Sequence, residues 1–368
     1  MKAKLLSLVL GSIVGVASSV ASAYDIGSMS IDEIEVQAKK EGEMTFSVWY
    51  LQDQWRIFVR EFEQEYGIKV RIPEGTLEGN MKKIIAEKDR DTGRMDAVAI
   101  SLDRADMFRR MGMLLDMSVI QDGYRKTTLS GEPRDNKAFA FWGNQIGLAY
   151  DPDRVDESTL PQTFEEMSDW INEHPEQFGF NDPNGGGAGQ AFIQSAIRNL
   201  APVANYTQDK VDANVTKTWE PVWSWFESTE GKYVLTASNA DSLSRLNDGE
   251  IAITPAWEDH MDGLQQKGAV AERMKIYIPE FGMGGSGNMV VVPVNAKHKA
   301  ASVLFVQWLT SKETQSRMNE MFGSAPQHPE SDDSKSLISK GQRQNSTDFF
   351  SNNYKNASIR AFLEEIIM

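Results

Sequence analysis

The hydrophobic period of this chain switches between about 3.6 residues and 2, repeatedly and along most of its length, and few architectures accommodate that exchange. Residues 30–41 set Ser30 and Glu33 in capping-box spacing, carry Ile31, Ile34 and Ala38 on one face, and stop at Gly42. That pattern predicts a helix closed by a left-handed glycine. Residues 44–50 then alternate through Phe46, Val48 and Trp49, as a strand does. Trp55, Phe58, Phe62 and Tyr66 return to helical spacing, and 68–72 alternates again. A helix over 80–90, an apolar strand over 95–100 and a short helix over 104–111 continue the exchange. Strands separated by helices of this length predict an α/β fold with mainly parallel sheets flanked by helices.

Two extended runs, 139–142 and 146–150, precede Asp151-Pro152-Asp153, where a second unit is expected to begin. Thr163 and Glu166 form another capping box ahead of Phe164, Met167, Trp170 and Ile171, all on one helical face. Helices over 188–200 and 219–226 and strands over 251–254 and 275–279 follow. Residues 282–287 are glycine-rich and read as a flexible approach to a strand over 289–293 that returns to the first sheet. Periodic helices over 300–310 and 314–322 come next, and 327–348 reads as polar surface loop. A length of 368 residues suits two domains.

Lys2 and Lys4 precede an apolar run relieved by Gly and Ser that ends in Ala21-Ser22-Ala23. This reads as a secretory signal over 1–23, cleaved after Ala23, which places the mature protein in the periplasm. Cysteine is absent, so neither disulfides nor a lipid-bearing cysteine holds the chain. The net charge of −15, more negative once Lys2 and Lys4 are removed, argues against nucleic acid or an anionic membrane as partner.

The blocks AKKEGEMTFSVWY, MDAVAISLDRADMFRRMGMLLD, GLAYDP followed by LPQTFEEMSDW, NDPNGGGAGQAF, NDGEIAITPAW and VVVPVNAKHKAASVLFVQWLTS occur in that order. Together they resemble the extracellular solute-binding proteins of ABC importers, in the group with ferric-ion, thiamine, polyamine, aminoethylphosphonate and glycerol-phosphate binders. The resemblance implies two lobes joined by crossing strands, with a solute held in the cleft between them. It implies lobe 1 over 24–147 and 291–323, lobe 2 over 148–290, crossings near 147–150 and 287–293, and a tail over 324–368 of open lobe membership. The adjacent tyrosines that ferric-ion relatives place in the cleft are missing here, so iron is a poor fit.

Strand ends are where open α/β sheets hold ligands, which nominates Trp49, Tyr50, Ser101 and Trp142 in the first lobe and Trp257 and Glu258, with Asp259, in the second. Gly187 and Ala188 sit in a glycine run at a helix start, a place able to offer bare N–H groups to an acidic or hydroxyl group. Residues 282–287 match G-x-G-x-x-G, but a strand follows where a dinucleotide site needs a helix. A G-x-S-x-G elbow beginning at Gly284 fails at Asn288, and His174, His260, His298 and His328 form no metal motif. No catalytic residue, metal or cofactor is assigned.

The reading that follows is a non-enzymatic, monomeric receptor that captures a small polar organic solute by hinge closure and delivers it to an inner-membrane ABC permease. Two alternatives stay open. One is an exported hydrolase or lyase using carboxylates such as Glu258 and Asp259, and the other a module reporting to a membrane sensor.

Overall fold

The computed structural model describes residues 24–120, 135–208 and 210–368, so the expected signal segment over 1–23 lies outside the described residues. The first helix, Ile31–Glu41, has both hydrogen bonds of the Ser30–Glu33 capping box, and Gly42 closes it at φ 69°. The box of Thr163 and Glu166 opens Phe164–Glu173 in the same way.

Ten strands form one sheet. They are β1 (Glu43–Ser47), β2 (Lys69–Arg71), β3 (Ala97–Ser101), β4 (Ala138–Tyr150), β5 (Phe178–Asn181), β6 (Tyr233–Thr236), β7 (Ile253–Trp257), β8 (Lys275–Tyr277), β9 (Met283–Val291) and β10 (Ser346–Thr347). Their order is β2-β1-β3-β9-β4-β7-β5-β6, with β10 beside β9 and β8 beside β4. β1 pairs in parallel with β2 and β3, and β5 with β6 and β7, as the strand–helix exchange requires. The sheet is nonetheless mixed, because β4 and β9 run antiparallel to each other and to their outer neighbours β7 and β3.

β4 joins the two extended runs of the sequence into one strand, with a bulge between Ala140 and Trp142. Its first half, with Phe139, Phe141 and Trp142, packs in a cluster containing Phe46, Trp55, Phe62 and Phe305. From Ile146 onward it packs in a second cluster, with Phe178, Phe180, Phe192 and Ile253. A small third cluster, including Val98, Ile100, Met289 and Val291, covers the other face of the first half. The change of cluster falls at Gly143, Asn144 and Gln145, which pair with Gly287, Ser286 and Gly285 of β9. The crossings that the resemblance implies, near 147–150 and 287–293, adjoin this change of cluster.

Residues 282–287 are not a flexible approach, since 283–287 belong to β9 itself. The glycines are there for close contact. A Cβ on Gly285 would lie 1.8 Å from the Gln145 side-chain oxygen, and one on Gly284 would lie 2.7 Å from the Phe349 ring. The tail folds onto the second half, with Ile338, Phe350, Tyr354 and Phe362 in its core cluster and β10 alongside Met283 and Gly284.

Candidate functional site

Between the two halves lies a cavity of about 530 Å³, built around the β4–β9 crossing. The first half contributes Trp49 and Tyr50, just past β1, Ser101 at the end of β3, and Trp142 on β4. The second half contributes Trp257 at the end of β7, Asp259 and His260 in the first turn of the next helix, α1 (Glu258–Gln266), and Phe349 after β10. Asn144 and Asn288 line the crossing itself. Most of these positions are strand ends or helix starts, where side chains project beyond the sheet rather than into it.

The rings form two groups, one from each half. Tyr50 meets Trp49 edge-on at 4.9 Å between centroids and Trp142 at 5.0 Å, while Trp257 faces Phe349 at 5.7 Å. The Tyr50 hydroxyl accepts a hydrogen bond from the Asn288 side-chain amide at 3.0 Å. Burial pushes that phenol well above its usual range, so it stays neutral.

Asp259 is the cavity's acid. Burial pushes its carboxyl up to about 7, and the neighbouring Glu258 charge adds to the shift. The backbone N–H groups of His260 and Asp259 and the Trp142 indole N–H pull it back. Burial also lowers the His260 imidazole, assisted by the Lys267 charge. The side-chain oxygen of Asn144 is buried and has no hydrogen-bond partner among the described residues. Among the described residues no group of three or more His, Cys, Asp or Glu side chains is placed to hold a metal ion.

The model of the bacterial extracellular solute-binding protein family matches residues 58–345. The chain belongs to this family. An extracellular solute-binding protein from Bordetella parapertussis shares the fold at TM-score 0.67 and 16% identity, covering 89% of this chain and 98% of that one. The spermidine/putrescine ABC transporter substrate-binding protein PotD from Streptococcus pneumoniae aligns at TM-score 0.64 and 13% identity, over 88% and 98% of the two chains. The Atu4243-GABA receptor aligns at TM-score 0.63 and 19% identity, over 89% and 98%. No curated protein sequence matches the chain. These solved structures are two-lobed periplasmic binding proteins, and the present fold is theirs.

In this solute-binding protein, six of the nominated residues come together at the cavity: Trp49, Tyr50, Ser101, Trp142, Trp257 and Asp259. Glu258 does not. Its side chain is buried, accepts a hydrogen bond from the Ile338 N–H at 2.9 Å, and receives one Arg343 nitrogen on both oxygens at 2.7 and 2.8 Å. Adjacent residues at a helix start diverge by about 100°, so Asp259 faces the cavity while Glu258 faces the tail.

Gly187 and Ala188 are also placed elsewhere, behind Trp257 at the start of the helix Gly187–Leu200. The Ala188 N–H already donates to the Asn239 side-chain oxygen at 3.2 Å, and the Gly189 N–H to that of Asn181 at 2.8 Å. Gly185 and Gly189 admit protein backbone, since added Cβ atoms would lie 2.0 Å from the Ala237 oxygen and 1.8 Å from the Asn181 oxygen. At Gly187 a Cβ would lie 2.9 Å from Trp257 Cζ2. Gly187→Ala is therefore expected to push the indole toward the cavity and weaken solute binding about tenfold, the order of one misplaced contact. Calorimetry and Trp fluorescence would show this, and wild-type affinity would detach Gly187 from the site.

Asn144, Asn288, His260 and Phe349 were not nominated by sequence. The two asparagines lie in the paired crossing strands, beside residues that were. Phe349 carries no sequence signal, because a tail reaches its site by packing rather than by period.

Proposed function

We propose that this protein is the substrate-binding subunit of an ABC-type importer. It captures a small polar organic solute in the aromatic cavity, closes about the β4–β9 crossing, and hands the solute to a membrane permease. The observation that carries this reading is a cavity walled by both halves of a solute-binding fold at the strands joining them. A solute touching both walls stabilises the closed arrangement over the open one, which is what hinge closure requires.

On this reading one lobe is the first hydrophobic cluster with the third beside it, and the other is the second cluster with the tail from Ile338 onward. The protein acts as an exported monomer in the periplasm, without catalysis. Export by the segment over 1–23 predicts a mature N-terminus at Tyr24, readable by N-terminal sequencing of the periplasmic fraction; full-length protein in the cytosol would contradict it.

Small-angle scattering of ligand-stripped protein, with and without a solute found by thermal shift, tests closure. The expected result is a smaller radius of gyration with solute and its recovery intact. Unchanged dimensions together with turnover of the solute would instead make the protein a hydrolase or lyase, with Asp259 its acid or base.

A further inference from the structure

We infer that the solute carries a primary or secondary ammonium group, held among the rings of Tyr50, Trp142 and Trp257 with its N–H bonds directed to Asp259 and Asn144. This rests on the receptor reading above and concerns the chemistry of the same cavity.

Two acceptors in the cavity set the polarity of what enters. Asn144 presents a buried oxygen without a partner among the described residues, so a solute that donates a hydrogen bond there satisfies it and one that only accepts does not. Among the described residues no cationic side chain is ion-paired with Asp259, whereas its neighbour Glu258 is matched by Arg343. A cationic solute would supply the charge that Asp259 lacks.

The surrounding faces favour the same sign. Aromatic faces are the negative part of the ring quadrupole and attract a cation, more strongly where water is excluded. An anion would meet those faces, the Asp259 carboxyl and the Glu258 charge behind it. The basic groups on the cavity do not reverse this. His260 is held below its usual range by burial, and Lys267 is exposed just past the far end of α1, roughly 12 Å along the helix from Asp259. A trimethylammonium group would satisfy the rings but has no N–H for Asn144.

The test is a thermal-shift panel on ligand-stripped protein at about pH 8, where Asp259 is ionised. Aliphatic monoamines, diamines, ethanolamine and amino acids are set against alcohols, carboxylates and trimethylammonium compounds of matched length. The amine series should raise the melting temperature most, the trimethylammonium compounds less, and the alcohols and carboxylates not at all. In calorimetry the best amine should bind Asp259→Asn at least about 100-fold more weakly, and Asn144→Ala about tenfold more weakly. The Asn144→Ala loss should be absent for the matched trimethylammonium compound, which keeps the proposal testable if Asp259→Asn fails to fold. A best binder that is an alcohol, a carboxylate or a trimethylammonium compound overturns the ammonium assignment and leaves the receptor reading standing. Wild-type amine affinity in Asp259→Asn overturns it equally. If no compound of any series binds, both readings fall.

Discussion

Asp259→Asn is expected to stabilise the solute-free protein above pH 7 and to abolish the pH dependence of amine binding. Burial raises the Asp259 carboxyl from 3.8 to about 7, and the Glu258 charge adds to it. A carboxyl whose folded value is raised favours the folded state below its unfolded value, and that advantage is lost as pH rises through about 7. A three-unit shift corresponds to on the order of 4 kcal/mol between the acid and alkaline limits. The amide carries no charge at any pH, so the variant should lack this slope, and its melting temperature should exceed that of wild type most clearly at about pH 8. The ligand acts with the opposite sign. An ammonium group binds the ionised carboxylate, so wild-type affinity should fall roughly tenfold for each pH unit below about 7, and the variant should bind weakly and without slope. The charged and titratable groups around Asp259 are Glu258 beside it on the helix and His260 and Tyr50 on the cavity, with Lys267 at the rim; burial lowers the His260 imidazole from its usual range and raises the Tyr50 phenol well above its own. Melting curves and calorimetry over about pH 4 to 8, a range that takes in most of the interval between the unfolded and folded carboxyl values and the first unit above it, check both slopes. Parallel curves for the two proteins would remove Asp259 as the titrating group.

What the sequence made legible was whatever depends on local period and local caps. Ser30, Gly42 and Thr163 announced their helix ends because a cap is a contact within four residues. Trp49, Tyr50, Ser101 and Trp257 line the cavity from strand ends, a place that follows from the strand itself, whereas Trp142 lines it from within β4. The contacts that failed to show are those made by distant segments. Gly284 and Gly285 looked like a flexible passage, yet they are small because Phe349 and Gln145 press on them from other parts of the chain. Gly185 and Gly189 looked like a ligand cradle, and they are small because Ala237 and Asn181 lie against them. A glycine states that something comes close and not what. Glu258 and Asp259 were alike as carboxylates after a strand, and only the position of Arg343, 85 residues later, separates their roles.

That separation leads to the largest expected loss of stability. Arg343→Met leaves the Glu258 carboxylate buried without its guanidinium, and breaking a buried pair by one partner costs about 3 to 5 kcal/mol. The pair joins the first residue of α1 to the segment that carries β10 and Phe349, so the loss reaches the cavity as well as the core. Burial already raises the Glu258 carboxyl, with Arg343 as the main opposing influence. Without Arg343 the carboxyl moves further up and takes a proton at higher pH. The destabilisation should therefore be greatest at alkaline pH and shrink toward acid pH, where the proton replaces the missing charge. Glu258→Leu combined with Arg343→Met should recover much of the stability, because an apolar pair of similar volume needs no compensation for burial. If the pair also places the tail, the double variant will melt near wild type and still bind solute several-fold more weakly, since Phe349 loses its anchor. Urea unfolding and calorimetry on the two single variants and the double separate these effects. A single variant within about 0.5 kcal/mol of wild type at neutral pH would show that the ion pair holds nothing, and full affinity in the double variant would confine its role to the fold.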